Sequence, residues 1–318
     1  MIGIEQSMKI RPYEWDPDRY APTAGEISDG DCWHTMALTG GGCDWTCGLN
    51  DNGQLGHGNR TEKRVFTLVD PGKFGGERIG MAAAGEEHGV VASAAGDVFT
   101  WGNGTLSRLG HNGKQDRLTP ARLGREQFGG EKIVFVAGYQ HFVALAQGGV
   151  LWVWGCGDYG RLGLGNRDEM LVPTWLGAGE VFGGSLVRMA ACGLFHTLVL
   201  TEEGVVWTFG EGEYGRLGLN YEDDRLVPTR LDPQRFAGAQ VSTVAAGLFR
   251  SISYWISGAC RIGSRKKSSF NALVKTLGDV AYVWVEGKTK GWRRNRYLYI
   301  IDCLRQEVAF APKVINAP

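Results

Sequence analysis

The chain repeats itself. A Leu-Gly pair recurs as Leu55-Gly56, Leu109-Gly110, Leu162-Gly163 and Leu217-Gly218, with steps of 54, 53 and 55 residues. The histidines His34, His88, His141 and His196 keep the same steps. Glycines stand three residues before the last three of them, at Gly85, Gly138 and Gly193, whereas Gly30 lies four before His34. Marks of different chemistry that share one spacing define a repeated unit of about 54 residues. A unit of that kind cannot bury both of its faces alone, so its copies must stack on one another.

Within the unit the pattern is that of short strands. Four aromatic stretches end in glycine: WTCG, FTWG, WVWG and WTFG. A polar turn, the Leu-Gly pair and a polar loop follow, closed by Pro120, Pro173 and Pro228 in three copies. Short apolar runs (IGMAAAG, IVFVAG, LVRMAACG, VSTVAAG) then lead to the histidine-bearing runs HTMAL, HGVVA, HFVAL and HTLVL. Runs of this length, parted by glycine-rich turns, predict one four-stranded antiparallel sheet per unit. The composition agrees: 49 glycines serve tight turns and 11 tryptophans serve packing. Trp45, Trp101, Trp154 and Trp207 are expected to supply the area between units.

Periodicity also decides against several chemistries. Gly155, Gly157 and Gly160 spell the spacing of a dinucleotide-binding loop, but the spacing returns at Gly210, Gly212 and Gly215, and no helical pattern follows either. The glycines read as turn residues. A catalytic base is needed once, so a histidine returning in every unit reads as structural, with a hydrogen bond tying one strand or unit to the next. No nucleophile elbow, phosphate loop or zinc-helix motif is present. Cys43 and Cys47 form a close pair with no second pair to complete a metal site. Seven cysteines, no export leader at Met1 and no long apolar run suggest free thiols in a reducing compartment. Catalytic, cofactor-binding and metal residues are therefore expected to be absent, and the chain is expected not to be an enzyme.

Charge is balanced only on average. Residues 1–250 carry 22 basic and 30 acidic side chains, and residues 251–318 carry 12 and 4, so a body of net −8 is followed by a segment of net +8.

The pattern WTFG…GRLG…P…AAG…HTLVL resembles the regulator of chromosome condensation repeat, over roughly residues 27–255. The resemblance implies an all-β fold, a β-propeller whose blades are four-stranded antiparallel sheets. Four clear blades and part of a fifth are expected, hence an incomplete ring of the family's seven, with a divergent C-terminal tail. The domains so read are an N-terminal arm at 1–26, propeller repeats at 27–255 and a basic tail at 256–318. Gly56, Gly110, Gly163, Gly218, His34, His88, His141 and His196 are the structural repeat positions. In the fifth unit Arg250 takes the histidine's place, and the period is lost after Trp255.

The family includes a nucleotide exchange factor for the Ran GTPase that docks on nucleosomes, modules of large ubiquitin ligases and a plant ultraviolet-B photoreceptor. The resemblance therefore implies a non-catalytic protein-protein interaction scaffold. Its alternatives are guanine nucleotide exchange on a Ran-type small GTPase, chromatin-associated regulation and a substrate-binding module of the ubiquitin pathway. Unit lengths held between 53 and 55 leave little room for the wedge that exchange uses. Trp33 is the only tryptophan beside a repeat histidine, which argues against the photoreceptor branch. The loops after Leu-Gly vary while the frame stays constant, as expected of partner-contact loops. Their candidate residues are Arg60, Lys63, Lys114, Asp116, Arg117, Arg167, Asp168, Glu169, Glu222, Asp223, Asp224 and Arg225. A protein partner is expected, with nucleic acid or chromatin as a partner of the basic tail, no membrane, no cofactor, and residence in the cytoplasm or nucleus.

Overall fold

The computed structural model describes residues 26–29, 34–177, 181–236, 240–246, 251–255, 258–262, 271–277, 280–287, 295–302 and 307–310. Each repeat forms one sheet whose strands pair in chain order, all antiparallel. The first blade is Glu26–Asp29, His34–Leu38, Asp44–Gly48 and Lys63–Leu68. The second is Ile79–Ala84, His88–Ser93, Val98–Gly102 and Arg117–Leu123. The third is Ile133–Gly138, His141–Ala146, Leu151–Gly155 and Met170–Gly177, and the fourth is Val187–Cys192, His196–Thr201, Val206–Gly210 and Arg225–Arg230. Val241–Ala246, Ser251–Trp255 and Gly258–Ile262 make a fifth sheet of three strands.

Successive blades touch mainly through their first two strands, which mark the hub, while the fourth strands lie at the outer rim. Burial follows this order. The second strands are buried along their whole length in blades two to four, whereas Lys63–Leu68 is largely exposed. Separate apolar clusters fill the joints between blades one and two, two and three, and three and four. The ring is not closed among the described residues.

The Leu-Gly glycine is explained by the blade that follows it. Gly56, Gly110 and Gly163 have φ of +75°, +76° and +74°, a left-handed conformation that disfavours a side chain. A Cβ on them would stand 2.9, 3.0 and 2.9 Å from Trp101, Trp154 and Phe209. Each glycine is thus the socket for an aromatic plug of the next blade. The plug is the residue just before the glycine that ends the third strand.

That register separates the four tryptophans the sequence groups together. Trp101 and Trp154 are plugs and are fully buried. Their indole N–H groups donate to the carbonyls of Gln54 (2.8 Å) and Arg108 (3.1 Å) in the preceding blade. Trp45 and Trp207 lie two residues earlier on their strands, where they are half-buried; Trp207 meets Phe182 edge-on at 5.8 Å between ring centres.

The boundary read at residue 255 falls inside a sheet, because Ser251–Trp255 pairs with Gly258–Ile262. Beyond it, Asn271–Leu277, Val280–Gly287, Asn295–Asp302 and Glu307–Phe310 pair in chain order as a further four-stranded antiparallel sheet. The N-terminal arm before Glu26 and the loop holding Arg250 lie outside the described residues.

Candidate interaction face

In a four-stranded meander the connection between strands one and two emerges at the same end as that between strands three and four. The carbonyls of Glu87, Gln140 and Phe195, in the first kind of connection, accept hydrogen bonds from the amides of Asn103, Cys156 and Glu211, which open the second kind. All the variable loops therefore gather on one face of the arc.

Its outer zone carries a ladder of ion pairs between blades. Arg60 pairs with Asp116 at 2.8 Å, Lys114 with Glu169 at 2.7 Å, and Arg167 with Asp224 at 2.9 Å. The rule is a cation four residues after the Leu-Gly glycine and an acid six residues after the next one. The acids are also tied to their own blades, since the Gly104 and Gly212 amides donate to Asp116 and Asp224 at 3.0 and 3.1 Å. Burial resists the ionisation of Asp116, but the Arg60 hydrogen bond, the Gly104 amide and the charges of Arg60 and Arg108 outweigh it and lower its pKa. Six of the twelve loop residues named from the sequence thus meet across blades. Of the others, Lys63 and Arg117 open outer strands opposite Gly48 and Gly102. The Asp168 amide donates to the Asn166 side-chain oxygen at 3.1 Å, and Arg225 stacks 4.5 Å over Tyr221. Glu222 and Asp223 are exposed, and Glu222 holds the fourth blade's cation position with the opposite sign.

Nearer the hub the face changes character. Arg108, Arg161 and Arg216, which precede the Leu-Gly pairs, are buried, and sequence reasoning did not single them out. The signal was present in the triplet Arg-Leu-Gly, whose first residue is Gln54 in blade one. Each guanidinium Nε donates at 2.9 Å to a carbonyl three residues back, Thr105, Asp158 or Glu213. Arg161 also donates to the Leu194 carbonyl at 2.9 Å and the Gln140 side chain at 3.2 Å, and Gln140 donates to Glu86 at 2.8 Å. Phe195 lies between two cations, 5.0 Å from Arg161 and 5.5 Å from Arg216. Those cations also approach Tyr159 at 5.6 Å and Tyr214 at 5.8 Å. Arg216 pairs with Glu211, whose carboxyl burial raises against the pull of Arg216.

The repeat histidines lie beneath this face, buried. His141 Nε2 donates to the Thr197 hydroxyl of the next blade at 2.7 Å, and that hydroxyl donates to the Arg161 carbonyl at 2.8 Å. His88 instead meets Phe142 of the next blade ring to ring at 4.6 Å. Burial lowers the pKa of His34 to about 4 and carries His88 and His141 well below the ordinary histidine value, so all three stay neutral near pH 7. The glycine spacing at 155–160 closes a single tight turn, Asp158–Gly160, and the Asp168 carbonyl occupies the space a Cβ on Gly157 would need. Among the described residues Cys43, Cys47, Cys156 and Cys192 form no disulfide.

Stacked four-stranded blades, glycine sockets and a loop-bearing face define a β-propeller of the regulator of chromosome condensation type. The regulator of chromosome condensation (RCC1) repeat matches residues 42–92, 95–145, 148–200 and 203–252, so the chain belongs to the RCC1-repeat family. It is 36% identical over 230 residues to the ultraviolet-B receptor UVR8 of Arabidopsis thaliana, covering 71% of this chain and 50% of that protein. It is 30% identical over 261 residues to protein RCC2 of Homo sapiens, covering 73% and 49%. Identity with the E3 ubiquitin-protein ligase HERC2 of Homo sapiens is 34% over 217 residues, 67% of this chain and 4% of that one. The chain spans about half the length of UVR8 and RCC2. Its fold is that of human WBSCR16, with a TM-score of 0.63 at 24% identity, covering 81% of this chain and 61% of that one. No helix among the described residues is long and apolar enough to cross a membrane.

Proposed function

We propose that this chain is a non-catalytic protein-protein interaction module that works through the loop-bearing face. The observation that carries the reading is the division of labour within each repeat. Glycines, plugs and neutral histidines are fixed by contact between blades, while the residues left free to vary are gathered at one end of every sheet. The twelve loop residues and the hub aromatics supply the contact surface. The partner is a protein of the nucleus or cytoplasm.

A second reading, a substrate-binding module of the ubiquitin pathway, is favoured by the 34% identity to a ligase. Exchange on a Ran-type GTPase and chromatin binding through the basic segment rest on the family resemblance and on the net charge of +8 in residues 251–318. A photocrosslinking residue at Glu222, and separately at Glu202 on the opposite face, tests the main reading in cell extract. Discrete adducts from Glu222 alone are expected; equal adducts from both positions would remove it. Unchanged release of labelled GDP from a Ran-type GTPase in the chain's presence is expected.

A further inference from the structure

We propose that the hub end of this face binds an extended, arginine-bearing peptide. The proposal rests on the reading above, that this face is the working surface, and adds the chemistry of what it takes.

The chain's own cations are sunk while the carboxylates beside them stay at the surface. The side chains of Arg108 and Arg216 are 4% and 1% exposed, whereas Glu86, Glu87 and Glu213 are 29%, 33% and 54% exposed. The face seen from solvent is therefore negative, on a body whose net charge is −8. An independent observation lies beneath it. Arg108 reaches Glu86 and Glu87 only at 3.8 and 3.9 Å, too long for hydrogen bonds, and its Nη1 has no hydrogen-bond partner among the described residues. A donor that is buried, unsatisfied and aimed between two carboxylates calls for an acceptor from outside, and a peptide carbonyl is one.

The rings name the cation. Phe195, Tyr159 and Tyr214 already hold guanidinium groups of the chain's own at 5.0–5.8 Å. Tyr214, at a φ of +58°, keeps 40% of its surface in solvent. A planar guanidinium both stacks on a ring and forks to a carboxylate, which an ammonium cannot do. The ligand is extended because its sites are strung over three blades, from Glu86 and Glu87 through Gln140 to Phe195 and Glu213.

The test is fluorescence anisotropy of the full chain with a fluorescein-labelled nonapeptide of alternating glycine and arginine, beside lysine and glutamate versions. Saturable binding is expected for arginine, several-fold weaker for lysine and none for glutamate. It should weaken by about tenfold in Glu86→Gln/Glu87→Gln and about threefold in Glu213→Gln, and not at all in Glu202→Gln on the opposite face. Equal binding by the hub variants, an equal loss in Glu202→Gln, or displacement of the peptide by unlabelled chain pairing with itself would each overturn it. Should the double variant lose its circular dichroism signature, Glu213→Gln decides alone, since that side chain is at the surface. Adducts from the Glu222 crosslinker without arginine binding would leave the interaction module standing and remove only this chemistry.

Discussion

Blade one and the three blades after it are built to one plan, and they differ where a blade faces its predecessor. The plug is Trp101, Trp154 and Phe209 in blades two to four but Cys47 in blade one. Pro120 and Pro173 are buried, Pro120 against the Gly56 socket, while Phe66 at the matching place in blade one is 44% exposed. The apolar residue that opens the third strand, Val98, Leu151 or Val206, is Asp44 in blade one. The difference teaches that the repeat is a rule about joints rather than about blades. Gly56 obeys it because Trp101 of the next blade needs the socket, although blade one itself has no plug.

The sharpest break of that comparison is plug removal. Trp154→Ala deletes a fully buried indole and its hydrogen bond to Arg108 and should cost about 3–5 kcal/mol. Phe142, stacked on it at 5.1 Å between ring centres, loses its support as well. Cys47→Ala, at the same repeat position, should cost less than about 1 kcal/mol. Urea unfolding midpoints of the two variants check this, and equal losses would mean that the joints are not what holds the arc.

Asp44 offers the next effect, of opposite sign. Its side chain is buried and neither oxygen finds a well-formed hydrogen bond among the described residues. Burial raises its pKa well above 3.8, against a pull from the Trp45 amide. Asp44→Val, the residue blade two uses, should therefore stabilise the chain by about 1–3 kcal/mol. A carboxyl with a raised folded-state pKa carries no ionisation penalty below its unfolded value. Above it, the unfolded chain ionises first, and the penalty grows by about 1.4 kcal/mol per pH unit until the folded value is reached. The gap between variant and wild type should therefore widen as pH rises from about 4 in thermal melts; a flat gap would show that Asp44 is ionised or paired.

Much of this was legible before any coordinates. Period and strand count follow from residues that recur at fixed steps, because stacking imposes the same demands on every copy. Which tryptophan does what was not legible from the tetrads alone. WTCG and FTWG look alike, yet Trp45 and Trp101 differ by two positions from the terminal glycine and so occupy different environments. The ion-pair ladder was hidden because its partners lie 55 to 57 residues apart and meet only once blades are stacked. The buried arginines were hidden by their charge, which ordinarily marks a surface residue. The altered tail was read from a lost period, and hydrogen-bonded strands do not need a period.

A smaller contrast lies within the blades. The Thr100 hydroxyl donates to the Leu109 carbonyl at 2.7 Å and receives from His111 Nε2 at 3.0 Å, and Thr46 does the same with Leu55 and His57. In blade four the histidine's place is Leu219, and the buried Thr208 hydroxyl has no partner among the described residues. Thr100→Val should destabilise and Thr208→Val should stabilise, each by about 1 kcal/mol. The opposite signs, read from paired thermal melts, are the point of the experiment. Two losses of similar size would place an unseen water or partner at Thr208.

The ladder gives the smallest effect and the finest test of the joint rule. Lys114 and Glu169 are 58% and 25% exposed, so solvent and salt screen their attraction, and Lys114→Gln should cost only about 0.2–1 kcal/mol. The useful measurement is the matching change at the fourth blade. Glu222→Lys restores the sign that Arg60, Lys114 and Arg167 carry, at the position where the rule is broken. If an acid from the following sheet completes the rung, the variant should raise the melting midpoint at low salt, and the gain should vanish at about 0.5 M sodium chloride. If Glu222 instead faces a cation there, the same variant lowers the midpoint, and the ladder changes polarity at blade four rather than ending.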